Sequence, residues 1–143
     1  KQLSEAIKID PEHALSLISR GSAYFRLDRL NEAIADFNRA IQLNPGLARS
    51  YHLRGLAKER QGNDVEAIAD FEKAIELDPE YGAAYYSRAT LHTKMGNEDM
   101  AVEDIKMVEF LTNRNIETFA NENNLWRSQR LRFENILEDE LEN

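Results

Sequence analysis

Three prolines frame this chain. Pro11, Pro45 and Pro79 stand 34 residues apart, and each closes a related run. Residues 67–79 read AIADFEKAIELDP, residues 33–45 read AIADFNRAIQLNP, and the remnant at 6–11 reads AIKIDP. A fixed period of this length marks stacked supersecondary units, none of which buries its apolar face alone. Such a stack is quasi-one-dimensional, so its core is a continuous seam.

Each period has room for two helices. Proline fixes its own φ and biases the preceding residue away from the α region, so every X-Pro step reads as a helix boundary. The spacing predicts helices over 14–27 and 31–44, over 48–61 and 64–77, and over 82–95 and 98–111. Gly62 and Gly96 fall between the paired helices, where positive φ is needed. Asp28 occupies that place in the first period and is a poorer choice. Asn63 and Glu66 have the spacing of a capping box.

Period and residues together resemble the tetratricopeptide repeat (TPR) family. Counting Ala14, Ala48 and Gly82 as position 1, position 8 is Gly21, Gly55 and Ala89. Position 20 is Ala33, Ala67 and Ala101, and position 24 is Phe37, Phe71 and Ile105. Position 27 is Ala40, Ala74 and Val108, and position 32 is Pro45, Pro79 and Asn113. The match covers 1–112, weakens in the third repeat and stops there. The resemblance implies an all-α, right-handed superhelical solenoid of antiparallel helix pairs with a C-terminal capping helix. Its parts are the second helix of a truncated repeat (1–12), three full repeats (13–47, 48–81 and 82–113), and capping helices with an acidic tail (114–143).

Small residues at positions 8 and 20 let paired helices approach closely, and larger ones would overpack the contact by about 1–3 kcal/mol. Phe37 and Phe71 are expected to fill the wider space between adjacent repeats. A second pattern runs alongside. Arg20, Arg54 and Arg88 each precede an aspartate, Asp36, Asp70 and Asp104, by 16 residues. A planar guanidinium suits bidentate pairing with carboxylate, so three intra-repeat pairs are expected. An arginine row for an acidic ligand is the alternative use.

The chain's ends are less regular. Leu3, Ala6 and Ile7 lack a partner helix and are expected at an open apolar edge, or at one covered by another molecule. After Leu111 no proline follows, and Thr112-Asn113-Arg114-Asn115 reads as a polar break before a short helix at 116–122. Residues 125–141 read as an amphipathic helix carrying Trp126, Phe133, Ile136, Leu137 and Leu141. It is expected to cap repeat 3, or to pack on another subunit.

Composition narrows the function. The formal net charge is −8, against nonspecific nucleic-acid binding, which needs a basic surface. There is no cysteine, hence no disulfide, thiolate nucleophile or cysteine zinc site. That composition, with no signal peptide and no apolar run of membrane-spanning length, favours a cytoplasmic setting. His13, His52 and His92 fall at unrelated repeat positions, and no metalloprotease, phosphate-loop or calcium-loop motif occurs. Neither a catalytic constellation nor a cofactor or metal site is expected.

What the resemblance implies instead is a concave groove lined by the first helix of each repeat. Carried over position by position, repeat 1 gives Leu15, Ile18, Ser19, Ser22, Phe25 and Arg26. Repeat 2 gives Arg49, His52, Leu53, Leu56, Glu59 and Arg60. Repeat 3 gives Ala83, Tyr86, Ser87, Thr90, Thr93 and Lys94. Four bases stand against one acid, so the expected ligand is a protein or peptide segment with acidic character and apolar anchors. The plain alternative is that these residues only hydrate the surface. Some members grip chaperone tails with a carboxylate clamp of Lys, Asn, Asn, Lys and Arg. Here those five positions hold Ile18, Ser22, Leu53, Ala83 and Ser87, so that clamp is not expected. The sequence thus reads as a non-catalytic interaction scaffold. Self-assembly, through the open N-terminal edge or the C-terminal helix, is the second reading.

Overall fold

In the computed structural model the described residues are 11–122, together with Asn135 and Glu138. They form six helices: α1 Pro11–Arg26, α2 Leu30–Leu43, α3 Ala48–Arg60, α4 Asp64–Leu77, α5 Gly82–Lys94 and α6 Glu98–Glu122. α1 packs on α2, α3 on α4 and α5 on α6, while α2 contacts α3 and α4 contacts α5. This is the expected solenoid of helix pairs. The edge at Leu3, Ala6 and Ile7 and the helix expected over 125–141 lie outside the described residues.

The turn within each pair is built the same way three times. Asp28, Gly62 and Gly96 have φ of 61°, 87° and 85°. In each case the next residue's N–H reaches back to a carbonyl near the helix end: Arg29 to Tyr24, Asn63 to Lys58 and Asn97 to His92, at 2.8–2.9 Å. Aspartate tolerates the left-handed region better than most residues, so repeat 1 makes this turn without glycine. The turns between repeats carry Asn44-Pro45 and Asp78-Pro79. There Asn44 Oδ1 accepts from Gly46 N and Asp78 Oδ1 from Glu80 N, both at 3.1 Å. Asn63 does sit at the N-cap of α4, but its side chain makes no cap. Its amide donates to Gln61 Oε1 at 3.4 Å instead.

Position 8 and position 24 are coupled. A Cβ built on Gly21 would lie 2.6 Å from Phe37 Cε1, and one on Gly55 would lie 2.6 Å from Phe71 Cε1. The phenyl ring, more than Ala33 or Ala67, is what these glycines admit. Phe37 packs with Ala33 and Ala57, and Phe71 with Ala67 and Leu91. Each ring therefore fills its own hairpin and also touches the next repeat. Repeat 3 has Ala89 and Ile105 in these places, a larger residue facing a smaller one.

The three arginine–aspartate pairs are present and bidentate. Arg20, Arg54 and Arg88 each donate through Nε and Nη2 to both carboxylate oxygens of Asp36, Asp70 and Asp104, at 2.6–2.9 Å. The carboxylates are buried. These bonds raise the pKa of Arg54 and Arg88 further. Two of the arginines also reach the preceding repeat: Arg54 Nη1 donates to Asn38 Oδ1 at 2.9 Å, and Arg88 Nη1 lies 4.0 Å from Glu72. They fix both the hairpin and its neighbour.

One expectation fails. Residues 112–115 do not break the chain: α6 runs on to Glu122. Polar residues alone do not stop a helix, and the proline that ends α2 and α4 is missing here. Thr112 Oγ1 donates to Val108 O at 2.8 Å, within the helix. Arg114 pairs with Glu80 at 2.8 Å and stacks over Phe110, which ties the overrun to the α4–α5 turn.

Candidate functional site

The first helices α1, α3 and α5 place the expected groove residues on a common side, but not all of them are at the surface. Leu15, Ser19, Arg26, Arg49, Arg60, Ala83, Tyr86, Thr90, Thr93 and Lys94 are exposed. Ser22, Phe25, Leu53, Leu56, Glu59 and Ser87 are half-buried. Ile18 and His52, both at position 5, are buried. The helix of the following repeat packs over this position, so it belongs to the joint between repeats and offers no surface to a ligand.

The two joints handle position 5 differently. Ile18 joins Ala14, Leu17, Ala40 and Leu43, and Leu53 with Leu47 packs against that cluster. In the next joint His52 bonds Ser87 Oγ through Nε2 at 2.9 Å and Tyr81 OH through Nδ1 at 3.2 Å. The ring also lies against Phe71 and edge-on to Tyr81. Burial lowers its pKa to about 4, with Arg49 adding to the effect. At neutral pH the imidazole is therefore uncharged, with one nitrogen donating and the other accepting. Burial likewise raises the Tyr81 phenol. Tyr81 lies outside the positions carried over from the repeat pattern. Its signal in the sequence is its place just ahead of α5, one repeat after Leu47.

Three repeats do converge at one point. Phe25 from α1, Leu56, Glu59 and Arg60 from α3, and Lys94 from α5 line an open cleft of about 380 Å³. The wall is apolar and the rim is charged. Arg60 lies over the Phe25 ring, 4.1 Å from its centroid, and its Nη1 donates to Phe25 O at 3.5 Å. Burial raises the pKa of Glu59, against the pull of Lys94.

The rim is less basic than the groove positions alone suggested. Arg60 lies 4.0 Å from Asp28, and Lys94 lies 3.6 Å from Asp64. Both acids sit beside the turns within repeats, outside the positions counted. Each cation reaches back to the preceding repeat. Arg26 and Arg49 make no ion pair among the described residues and carry the uncompensated positive charge. Among these residues no three His, Cys, Asp or Glu side chains group as metal ligands, and no helix is long and apolar enough to cross a membrane.

Comparison with known proteins agrees with this architecture. A family profile described as TPR repeat matches residues 21–62, and two described as tetratricopeptide repeat match 48–81 and 70–103. Comparison with curated proteins gave no match. Among solved structures, MamA is 30% identical with a TM-score of 0.70, covering 76% of this chain and 63% of its own. This chain thus spans less than two thirds of that protein. The first TPR domain of Spaghetti (RPAP3), solved with an HSP90 peptide, is 25% identical at a TM-score of 0.69, covering 72% of this chain and 82% of that one. The TPR2B domain of yeast Sti1, in a complex with pHsp70, is 26% identical at 0.70, covering 78% and 90%. Repeats, turns, helix pairs and profiles coincide, and the chain belongs to the tetratricopeptide repeat family.

Proposed function

We propose that this chain is a non-catalytic protein-interaction scaffold that binds an extended or helical segment of a partner along α1, α3 and α5. The observation that carries the reading is the cleft at which Phe25, Leu56, Glu59, Arg60 and Lys94 meet from three successive repeats. Its apolar wall suits one aliphatic or aromatic anchor. The uncompensated Arg26 and Arg49 favour acidic residues flanking that anchor.

Two structural neighbours are seen with chaperone peptides. The grip here is of another kind. The five clamp positions hold Ile18, Ser22, Leu53, Ala83 and Ser87, none with a cationic or amide side chain, and Ile18 is buried. Affinity capture from native lysate with the parent chain and with Arg49→Glu/Arg60→Glu tests the reading. Loss of specific partners in the variant is expected, with helix content unchanged. Equal recovery would show that this face is not the site. Exposed Val102 and Ile105 at the last repeat are the observation behind a second reading, self-association. Light scattering at high concentration tests it, and a strict monomer removes it.

A further inference from the structure

We propose that the hollow where α4, α5 and α6 meet, outside the groove, is a seat for a lysine side chain of a basic partner segment. It involves the second helices of the repeats and is independent of the groove reading.

The template for the seat is in the neighbouring repeat. At position 11 the three repeats carry Tyr24, Lys58 and His92. In repeat 2 the Lys58 ammonium lies 3.6 Å from Asp70 Oδ2 and 3.9 Å from Glu66. Asp70 thus holds two cations, with Arg54 on both oxygens and Lys58 beside one of them. In repeat 1 Tyr24 fills the place, beneath the Arg29 guanidinium. In repeat 3 Arg88 and Asp104 form the same bidentate pair, but His92 brings no ion pair to it. What remains is a hollow of about 340 Å³ lined by Glu72, Arg88, His92, Met100, Glu103 and Asp104.

The hollow is short of positive charge. Three carboxylates line it with one guanidinium, and Arg88 is divided between Asp104 and Glu72, the latter at 4.0 Å. Glu103 makes only an exposed pair with Lys106 at 3.4 Å. His92 is an independent sign of a missing ligand. The residue is 9% exposed, yet Nε2 makes no hydrogen bond among the described residues, and Nδ1 has only the Asn97 amide at 3.5 Å. That amide turns over to suit either tautomer. With the proton on Nδ1, the Nε2 lone pair accepts from an occupant of the hollow.

Lysine matches this set. Its stem lies along exposed Met100, and its three N–H donors meet His92 Nε2 and the carboxylates of Asp104 and Glu103. A second arginine suits the place less, because Arg88 already takes Asp104 with its planar fork and leaves side lone pairs that favour a point charge. Among the described residues these side chains do not converge as metal ligands. The surroundings steer a basic segment inward: Glu66, Glu76, Glu98 and Asp99 are exposed on α4 and α6, and the formal net charge is −8.

The probe is hexalysine, added to the full chain at physiological salt, with the ε-acetylated peptide as the uncharged control. The Met100 methyl and His92 imidazole resonances are expected to move with hexalysine and to stay with the control. His92→Lys gives the seat its own cation, as Lys58 does in repeat 2, and is expected to weaken hexalysine binding about tenfold. Glu32→Gln makes the same change in charge on repeat 1 and is expected to weaken it about twofold or less. Equal losses in the two variants, or a Met100 methyl that does not move, overturn the proposal, because the peptide then reads net charge alone. Should His92→Lys disturb the hairpin, Glu103→Gln on the exposed rim takes its place, and a loss no greater than that of Glu32→Gln overturns the proposal. Calcium or zinc alone giving the same shifts assigns the hollow to a metal ion. Shifts that grow with protein concentration and need no peptide assign it to a second copy. Either result overturns the proposal.

Discussion

The joint between repeats 1 and 2 and the joint between repeats 2 and 3 solve one packing problem with different chemistry. At the first, Ile18 and Leu53 exclude water with aliphatic surface. At the second, His52 and Ser87 hold the same two repeat positions with a hydrogen bond, and Tyr81 adds another. Around them the joints are alike. Phe37 and Phe71 bridge to the next helix, and Arg60 and Lys94 reach back to the previous repeat. An aliphatic joint is indifferent to pH. A histidine joint is not, and the difference makes one section of a uniform-looking solenoid conditional.

Removing the aliphatic joint has the largest expected effect. Ile18→Ala should cost about 4 kcal/mol in urea unfolding, because the side chain is 1% exposed and leaves a cavity between repeats. A loss under 1 kcal/mol would show that the first joint does not depend on it. Acid comes next and should act on the second joint. The folded-state pKa of His52 is depressed from 6.5 to about 4. The folded chain thus binds fewer protons than the unfolded chain, and this stability is complete above pH 6.5. It is lost as pH falls from 6.5 through about 4, by up to about 3 kcal/mol. Hydrogen exchange should show α5 and α6 opening before α1 and α2 in that window, and uniform opening would break the comparison.

Grafting the first joint onto the second sharpens the contrast. His52→Ile/Ser87→Leu should remove most of that acid sensitivity while changing stability at pH 7 by about 1 kcal/mol, since the aliphatic pair fits but Tyr81 loses its partner. Undiminished acid sensitivity would mean that other groups cause it. The smallest effect belongs to the rim. Lys94→Ala removes an exposed ion pair worth about 0.5 kcal/mol, and Arg60→Ala should cost about 1 kcal/mol because the Phe25 ring loses its stacked guanidinium. Equal costs in thermal melts would show that the stacking adds nothing.

How much of this was legible depended on whether a residue's duty is local. The helices, the turn at Asp28 and the bidentate pairs follow from the 34-residue period, because each involves one hairpin. Burial of Ile18 and His52 does not, because it depends on how far the next repeat overlaps this one. Neutralisation of Arg60 and Lys94 was hidden for a similar reason: Asp28 and Asp64 belong to the preceding repeat and to its turn region. The overrun of α6 was misread through residue type, since polar side chains at 112–115 resemble a loop, yet nothing there denies the backbone its bonds. The cleft was legible in its members but not in their grouping.

The pairing of position 8 with position 24 has a consequence for how such a chain can grow. Glycine with phenylalanine in repeats 1 and 2, and alanine with isoleucine in repeat 3, are two ways of filling one hairpin, and they do not mix. A ring placed against Ala89 would meet the methyl group that Gly21 and Gly55 omit. Duplicating residues 48–81 would therefore lengthen the array with an interchangeable part. Duplicating residues 82–113 would carry its alanine–isoleucine pair along with it, so the match is kept inside each hairpin and a mismatch arises only when helices are exchanged between repeats.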